Sequence, residues 1–345
     1  MKNRFLPAEW YPQSAVQLTW PHAATDWVDI LDEVTECFAT LVQLISNHQK
    51  VLIVCPNKEL VLPHIQTANL ENVIFVALPS NDTWARDHAG ITVIEDGKAK
   101  ILDFRFNGWG LKFAANFDNQ ITSQLFKHEV FSNEVSYENH LAFALEGGGI
   151  ESDGKGTILT TSYCLLSPNR NGHLTKKEIE EYLFKAFNAN RILWLDNGYL
   201  AGDDTDSHID TLARLCNENT IAYVKCTDES DEHFAALQAM ENELKSFTTA
   251  EGKPYHLVPL PMADLYFDEE DPSYRLPATY ANFLITNKLV LLPTYNSPKD
   301  EIAIKTLENI FPNRKVVGVN CISLIKQHGS LHCVTMQYPE EVEFK

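Results

Sequence analysis

Residues 282–319 read NFLITNKLVLLPTYNSPKDEIAIKTLENIFPNRKVVGV, and three local signals follow one another along them. Two apolar runs flank Thr286-Asn287, the mark of a β-hairpin across Asn282–Tyr295. Ser297-Pro298 then opens a helix, since proline is tolerated at the first helical position, and Ile302, Ile304, Leu307 and Ile310 recur at helical spacing inside it. Lys315–Val319 reads as a short strand. The unit is strand–strand–helix–strand.

Working outward, the same order recurs three more times. Ile91–Phe106 turns at Glu95-Asp96-Gly97, Phe143–Ser162 at Ser152-Asp153-Gly154, and His208–Cys226 near Asn217-Glu218-Asn219. Helices are predicted over Lys176–Asn188, with Thr175 as N-cap and Ile179, Tyr182, Leu183 and Phe187 on one face, and over Asp231–Phe247, with Phe234, Leu237, Met240 and Leu244. Strands follow at Arg191–Leu195 and His256–Leu260. The Ile91 unit has the faintest helix, around Asp118–Lys127. The remaining pieces are a strand (Val16–Trp20), a helix (Trp27–Asn47), a strand (Lys50–Cys55) and a last strand (Leu331–Gln337). If the last strand pairs with the first, these complete a fifth unit and close a ring, with Pro56–Pro79 as an insertion. The expectation is one pseudo-symmetric α/β domain over residues 1–345.

Composition narrows the function. With 28 Lys+Arg against 47 Asp+Glu the formal net charge is −19, the wrong sign for neutralising nucleic-acid phosphates or approaching an anionic membrane. It suits a small cationic substrate, although most of it reads as solubility. No apolar run approaches the ~18 residues of a membrane span, and the opening MKNRFLPAEW has no signal-peptide core. The seven cysteines are odd in number and scattered without a C-x-x-C pair, which fits reduced thiols in a cytoplasm.

A ring of equivalent units carries equivalent positions to one central rim. Asp87 lies just ahead of the first hairpin, Glu146 opens the second, and His208 and Asp210 open the third. Cys333 is placed in the closing strand. The other six cysteines read as small buried hydrophobes. On a strand, His208 and Asp210 would face the same side, a geometry that a bland surface pair would share. His328 and His332 have metal-ligand spacing but bracket a loop, so no metal is expected there. Gly147-Gly148-Gly149 matches no phosphate loop and reads as a turn.

A thiol, an imidazole and three carboxylates suit guanidine chemistry. A developing oxyanion would be opposed by carboxylates, whereas a guanidinium matches them bidentately. Two carboxylates would grip the cation, the thiolate would attack its carbon, and the histidine would protonate the departing nitrogen and then deprotonate water. Trp84 could lie against the cation.

The segments Asn81–Asp87, Phe106–Gly110, Leu145–Gly148, Leu159–Leu165, Asp206–Asp210 and His332–Pro339, with Leu6–Trp10 and Trp20-Pro21-His22, resemble those of agmatine deiminases and the related bacterial peptidyl-arginine deiminases, in the same order and over nearly the whole chain. That resemblance implies the pentein fold, an α/β propeller of five pseudo-repeats. It implies Cys333 as nucleophile and His208 as general acid/base. Asp87 and Asp210 would bind the guanidinium, and Glu146 would share binding and proton handling. Trp84, Asn107 and Trp109 are implied near the substrate, with no metal or organic cofactor. It is also compatible with a homodimer. Two positions depart from the family pattern: His88-Ala89-Gly90 follows the Arg-Asp motif, and Met336-Gln337 replaces a Gln-Gln pair. The leading expectation is hydrolysis of agmatine to N-carbamoylputrescine and ammonia, a step towards putrescine. The alternative is conversion of arginine to citrulline in peptides, and the remotest is a non-catalytic polyamine or guanidine binder. Asp82, Asp203, Asp204 and Asp206 are the candidates for holding the far amine of agmatine.

Overall fold

The computed structural model describes residues 3–345; Met1 and Lys2 of the opening stretch lie outside the described residues. Five small sheets share one pattern, in which an antiparallel hairpin is followed by a helix and a third strand that pairs parallel with the hairpin's second strand. Parallel pairing requires a crossover, and a helix supplies it while covering the sheet. The strands are Ile91–Glu95, Lys98–Arg105 and Ser136–Ala144 in the first unit. They are Ile150–Ser152, Thr157–Thr161 and Arg191–Leu195 in the second. Ala213–Asn217, Thr220–Lys225 and His256–Pro261 form the third, and Leu284–Ile285, Leu289–Thr294 and Lys315–Asn320 the fourth. In the fifth, the ends of the chain meet. Met336–Pro339 pairs antiparallel with Gln13–Thr19, which pairs parallel with Lys50–Cys55.

Local chemistry explains the clearest elements. Asp96 and Gly97 both take positive φ, so a two-residue turn joins Glu95 to Lys98. Thr175 and Glu178 form a capping box on Lys176–Phe187, and Ser297 and Asp300 form one on Pro298–Ile310. Ile302 points outward, 54% exposed, while Ala303 and Leu307 take the buried face. The Pro56–Pro79 insertion contributes a fourth strand, Val73–Ala77, parallel to Lys50–Cys55.

Three boundaries differ from the sequence reading, and each difference moves a candidate residue. Phe143 belongs to the last strand of the first unit, not to the second hairpin, because the turn at Gly147–Gly149 separates the two. His208 caps, and Asp210 lies on, a short 3-10 turn, Ile209–Thr211, and neither is on a strand, which starts at Ala213. Cys333 sits in a turn, and its strand begins only at Met336. The apparent strand signal at 331–335 is a buried apolar turn.

Candidate active site

Each unit delivers one segment immediately ahead of its first hairpin strand. These segments carry Asp87, Glu146, His208 with Asp210, Asn282 and Cys333, which precede Ile91, Ile150, Ala213, Leu284 and Met336. Glu146, His208 and Asp210 are fully buried, and Asp87 and Cys333 are 3% and 4% exposed. The five side chains sought from the sequence come together here.

His208 is the centre of the cluster. Its Nδ1 lies 3.6 Å from Asp87 Oδ1 and its Nε2 lies 3.9 Å from Glu146 Oε2. Asp87 is fixed by Trp109 Nε1, which donates to Oδ2 at 3.0 Å, and by the Gly148 amide, which donates to Oδ1 at 3.1 Å. Both oxygens of Glu146 accept from Arg170 Nε at 2.9 Å. Gly148 is more than a turn residue. A methyl group there would meet His208 Nδ1 at 2.6 Å, Asp87 Oδ1 at 2.8 Å and Asp210 Oδ2 at 3.1 Å.

Cys333 is set by its neighbours. Asn282 Oδ1 accepts from the His332 amide at 2.8 Å and from the Cys333 amide and thiol, both at 3.3 Å. Asn282 was missed in the sequence reading. The repeat offered the signal, since Asn282 heads the fourth unit as the others head theirs.

The electrostatics separate the two reactive groups. Burial, then the charges of Asp210 and Asp87, push the Cys333 thiol well above its usual range, so it rests protonated. Burial alone would discharge His208, but the nearby Asp87, together with Cys164 and Glu146, holds it well above the usual range as an imidazolium. Burial raises Asp87 to about 6, against the pull of His208. Burial opposes the charge on Glu146 too, yet Arg170 and His208 keep it below the usual range. Asp210 is likewise held low against its burial, chiefly by His332. Its Oδ1 is buried with no hydrogen-bond partner among the described residues, which is costly unless something donates to it.

A pocket of about 590 Å³ opens onto Cys333 and Asp87, walled by Trp84, Trp109, Phe113, Gly329 and the acids Asp26, Asp82 and Asp204. The Trp84 ring lies where a Cβ on Gly329 would approach within 2.1 Å, so the glycine lets the ring form the wall. Asp82 is occupied by Trp27 Nε1 at 2.7 Å and Trp84 Nε1 at 3.0 Å. Asp203 caps its own loop through Thr205 and Ser207, and Asp206 pairs with Lys112 and Arg170. Asp204 faces the pocket, and no hydrogen bond to its carboxylate is found among the described residues. Asn107 lies outside the pocket wall. Its oxygen accepts from the Gly110 amide and its amide donates to the Asn169 carbonyl, so it braces the loop that carries Trp109.

The two histidines with metal-ligand spacing diverge. His328 meets the Gly202 carbonyl, whereas His332 meets Asp210 and Glu9. Glu9, Glu151 and His332 are close enough to enclose a cation, but the Arg214 guanidinium already fills that position.

Residues 5–339 match the family described as Porphyromonas-type peptidyl-arginine deiminase. A crystal structure from Porphyromonas gingivalis, described as a "Putative Arginine Deiminase", is 51% identical with a TM-score of 0.95, covering 99% of this chain and 100% of that one. A second, described as a "putative peptidyl-arginine deiminase", is 44% identical with a TM-score of 0.92, over 98% and 99% of the two chains. A C. jejuni agmatine deiminase, a cysteine-to-serine variant with substrate bound, is 40% identical with a TM-score of 0.90, over 98% and 96%. The fold is thus the α/β pentein type, and no helix among the described residues is long and apolar enough to cross a membrane.

Proposed function

The chain belongs to the Porphyromonas-type peptidyl-arginine deiminase family and is a hydrolase of guanidino C–N bonds, and on that premise we propose that its substrate is agmatine, hydrolysed in one cytoplasmic catalytic domain. The observation that carries this reading is Asp204. It is a carboxylate on the pocket wall that accepts no hydrogen bond among the described residues, with His328 and Lys112 near enough to favour its charge. A primary ammonium would satisfy it, whereas a peptide backbone offers no cation.

The reaction follows from the charges already in place. Asp87 and the free Oδ1 of Asp210 receive the guanidinium, and Trp84 and Trp109 wall its alkyl stem. Seating a cation between those two carboxylates offsets the charge that keeps Cys333 protonated, so the thiol proton leaves to solvent as the substrate binds. The thiolate adds to the guanidinium carbon. His208, an imidazolium at rest, gives its proton to the leaving nitrogen as the C–N bond breaks, and ammonia departs. An amidino-thioether remains on Cys333. The neutral His208 then takes a proton from water, the hydroxide adds to the same carbon, and the C–S bond breaks; the hydroxyl proton is lost to solvent as N-carbamoylputrescine forms, and the freed thiolate takes a proton back from solvent to restore Cys333. Glu146, anchored by Arg170, stabilises His208 while it is charged.

Peptidyl-arginine is the second reading, supported by the family's description and by the 44% identical structure. Ammonia release from agmatine, from free arginine and from a blocked arginine amide separates the two. Asp204→Asn should raise KM for agmatine on the order of 10- to 100-fold and leave the blocked amide nearly unaffected. Turnover of the blocked amide alone would replace agmatine by the second reading.

A further inference from the structure

The two oxygens of Asp210 have different surroundings. Oδ1 is the buried, unpartnered atom, while Oδ2 lies 2.7 Å from His332 Nδ1. The other ring nitrogen of His332 lies 2.7 Å from Glu9 Oε2. An ionised carboxylate can only accept, so Nδ1 donates to Asp210, while Nε2 sits between Glu9 Oε2 and Arg214 Nη2, the latter at 3.1 Å. Glu9 is held in turn by Arg214 Nη2 at 2.6 Å and by the Ile285 amide at 2.6 Å. Arg214 Nε reaches Glu151 Oε1 at 2.5 Å, and its Nη1 donates to the carbonyls of Ala281 and Phe283. These side chains form one buried hydrogen-bonded row: Asp210, His332, Glu9, Arg214, Glu151.

We propose that His332 is a positioning residue for guanidinium capture, an imidazole clamped from behind by Glu9 and Arg214 whose Nδ1 fixes Asp210 with its free oxygen turned towards the substrate. This rests on Asp210 being the guanidinium ligand, as proposed above. The surroundings support the assignment from every side. His332, His208 and Arg214 favour a charged Asp210, with Arg86 beyond them, while Asp87 and Cys333 face it across the site. Around His332 stand the carboxylates of Asp210, Glu9 and Glu151 and the guanidinium groups of Arg214 and Arg86. The row also gives Glu9, in the opening Leu6-Pro7-Ala8-Glu9-Trp10, a place in the chemistry 323 residues from its partner. His332 sits beside the nucleophile yet points away from the pocket, and a lone sequence shows only the adjacency.

The test is steady-state agmatine hydrolysis with the full chain. His332→Asn keeps a donor near the place of Nδ1 but carries no charge. It should raise KM on the order of 10- to 100-fold, more than it lowers kcat. The acid limb of kcat/KM in the wild type follows one proton, that of Asp87 near 6. In His332→Asn it should move to higher pH, because Asp210 loses the hydrogen bond that holds it low against its burial. Glu9→Gln should change KM and the limb in the same direction by less, and it carries the test if His332→Asn does not fold. Unchanged KM and an unmoved acid limb in folded protein, with only a lower melting temperature, would overturn the proposal and leave a structural role. Asp210→Asn separates the two levels: if it binds agmatine as well as the wild type, the assignment of Asp210 falls and the row behind it loses its purpose.

Discussion

Single atoms decide what this site can do, and the first of them is the Cys333 sulfur. Cys333→Ala should abolish ammonia release while agmatine still binds, and intact mass of a quenched wild-type reaction should show an amidino adduct that the variant lacks. Asp87 gives the pH dependence. Its folded value is raised to about 6 by burial, so it is charged above that pH and neutral below it. Guanidinium capture is therefore lost as pH falls through about 6, and kcat/KM should drop there with one proton's slope. Gly148→Ala supplies a steric test. Its methyl group would stand within 2.6 Å of His208, so turnover should fall at least 100-fold, unless the backbone moves and activity survives. At this scale the sequence exposed the reactive residue types but not those that hold them. Asp87, Glu146, His208, Asp210 and Cys333 stand out because thiols, imidazoles and clustered acids are the groups that react. Asn282, Arg170 and His332 act by holding those five, and an asparagine or arginine within a strand-and-turn pattern has no spacing that reveals its partner.

The elements divide by how local their causes are. The helix Pro298–Ile310 was visible because a Ser-Pro start and an apolar stripe agree; the structure adds Asp300 to the cap and turns Ile302 of the stripe outward. Ser297→Ala removes the cap and its bond to Asp264, and should destabilise folding by about 1 kcal/mol in denaturant titration. Leu307→Ala, fully buried on the same helix, should cost about 2–5 kcal/mol by the same measurement. The inverse order would mean that this helix is held by its end rather than by its face. The misread boundaries share one cause. Phe143–Leu145, the end of one strand, and the turn at Leu331–Thr335 are both buried around the site, and burial gives a strand end or a turn the composition of a new strand. Burial there comes from segments distant in the chain, such as Arg86 and Asn282 against residues 332–333, which no local window contains.

For the whole molecule, the repeat made the fold legible, because five weak patterns in one order constrain one another where each alone would not. The pairing of Met336–Pro339 with Gln13–Thr19 was a consequence of counting units, and no local signal at either end announces it. The net charge of −19 belongs to this scale as well. Most of the acids are on solvated helices and loops, but their field reaches the pocket, whose mouth carries Asp26, Asp82 and Asp204. A field of this sign draws a doubly charged cation more strongly than a singly charged one, and salt screens it over roughly 10 Å at 0.1 M. Raising ionic strength from about 0.01 to about 0.5 M should therefore lower kcat/KM for agmatine severalfold while kcat stays level. For a singly charged guanidine the logarithm of the effect should be about half as large. Equal effects on the two substrates would confine the selection to the contact carboxylates and reduce the surface charge to a solubility feature. Greater sensitivity of agmatine would mean that the acids outside the site help to choose the substrate before Asp87 and Asp210 touch it.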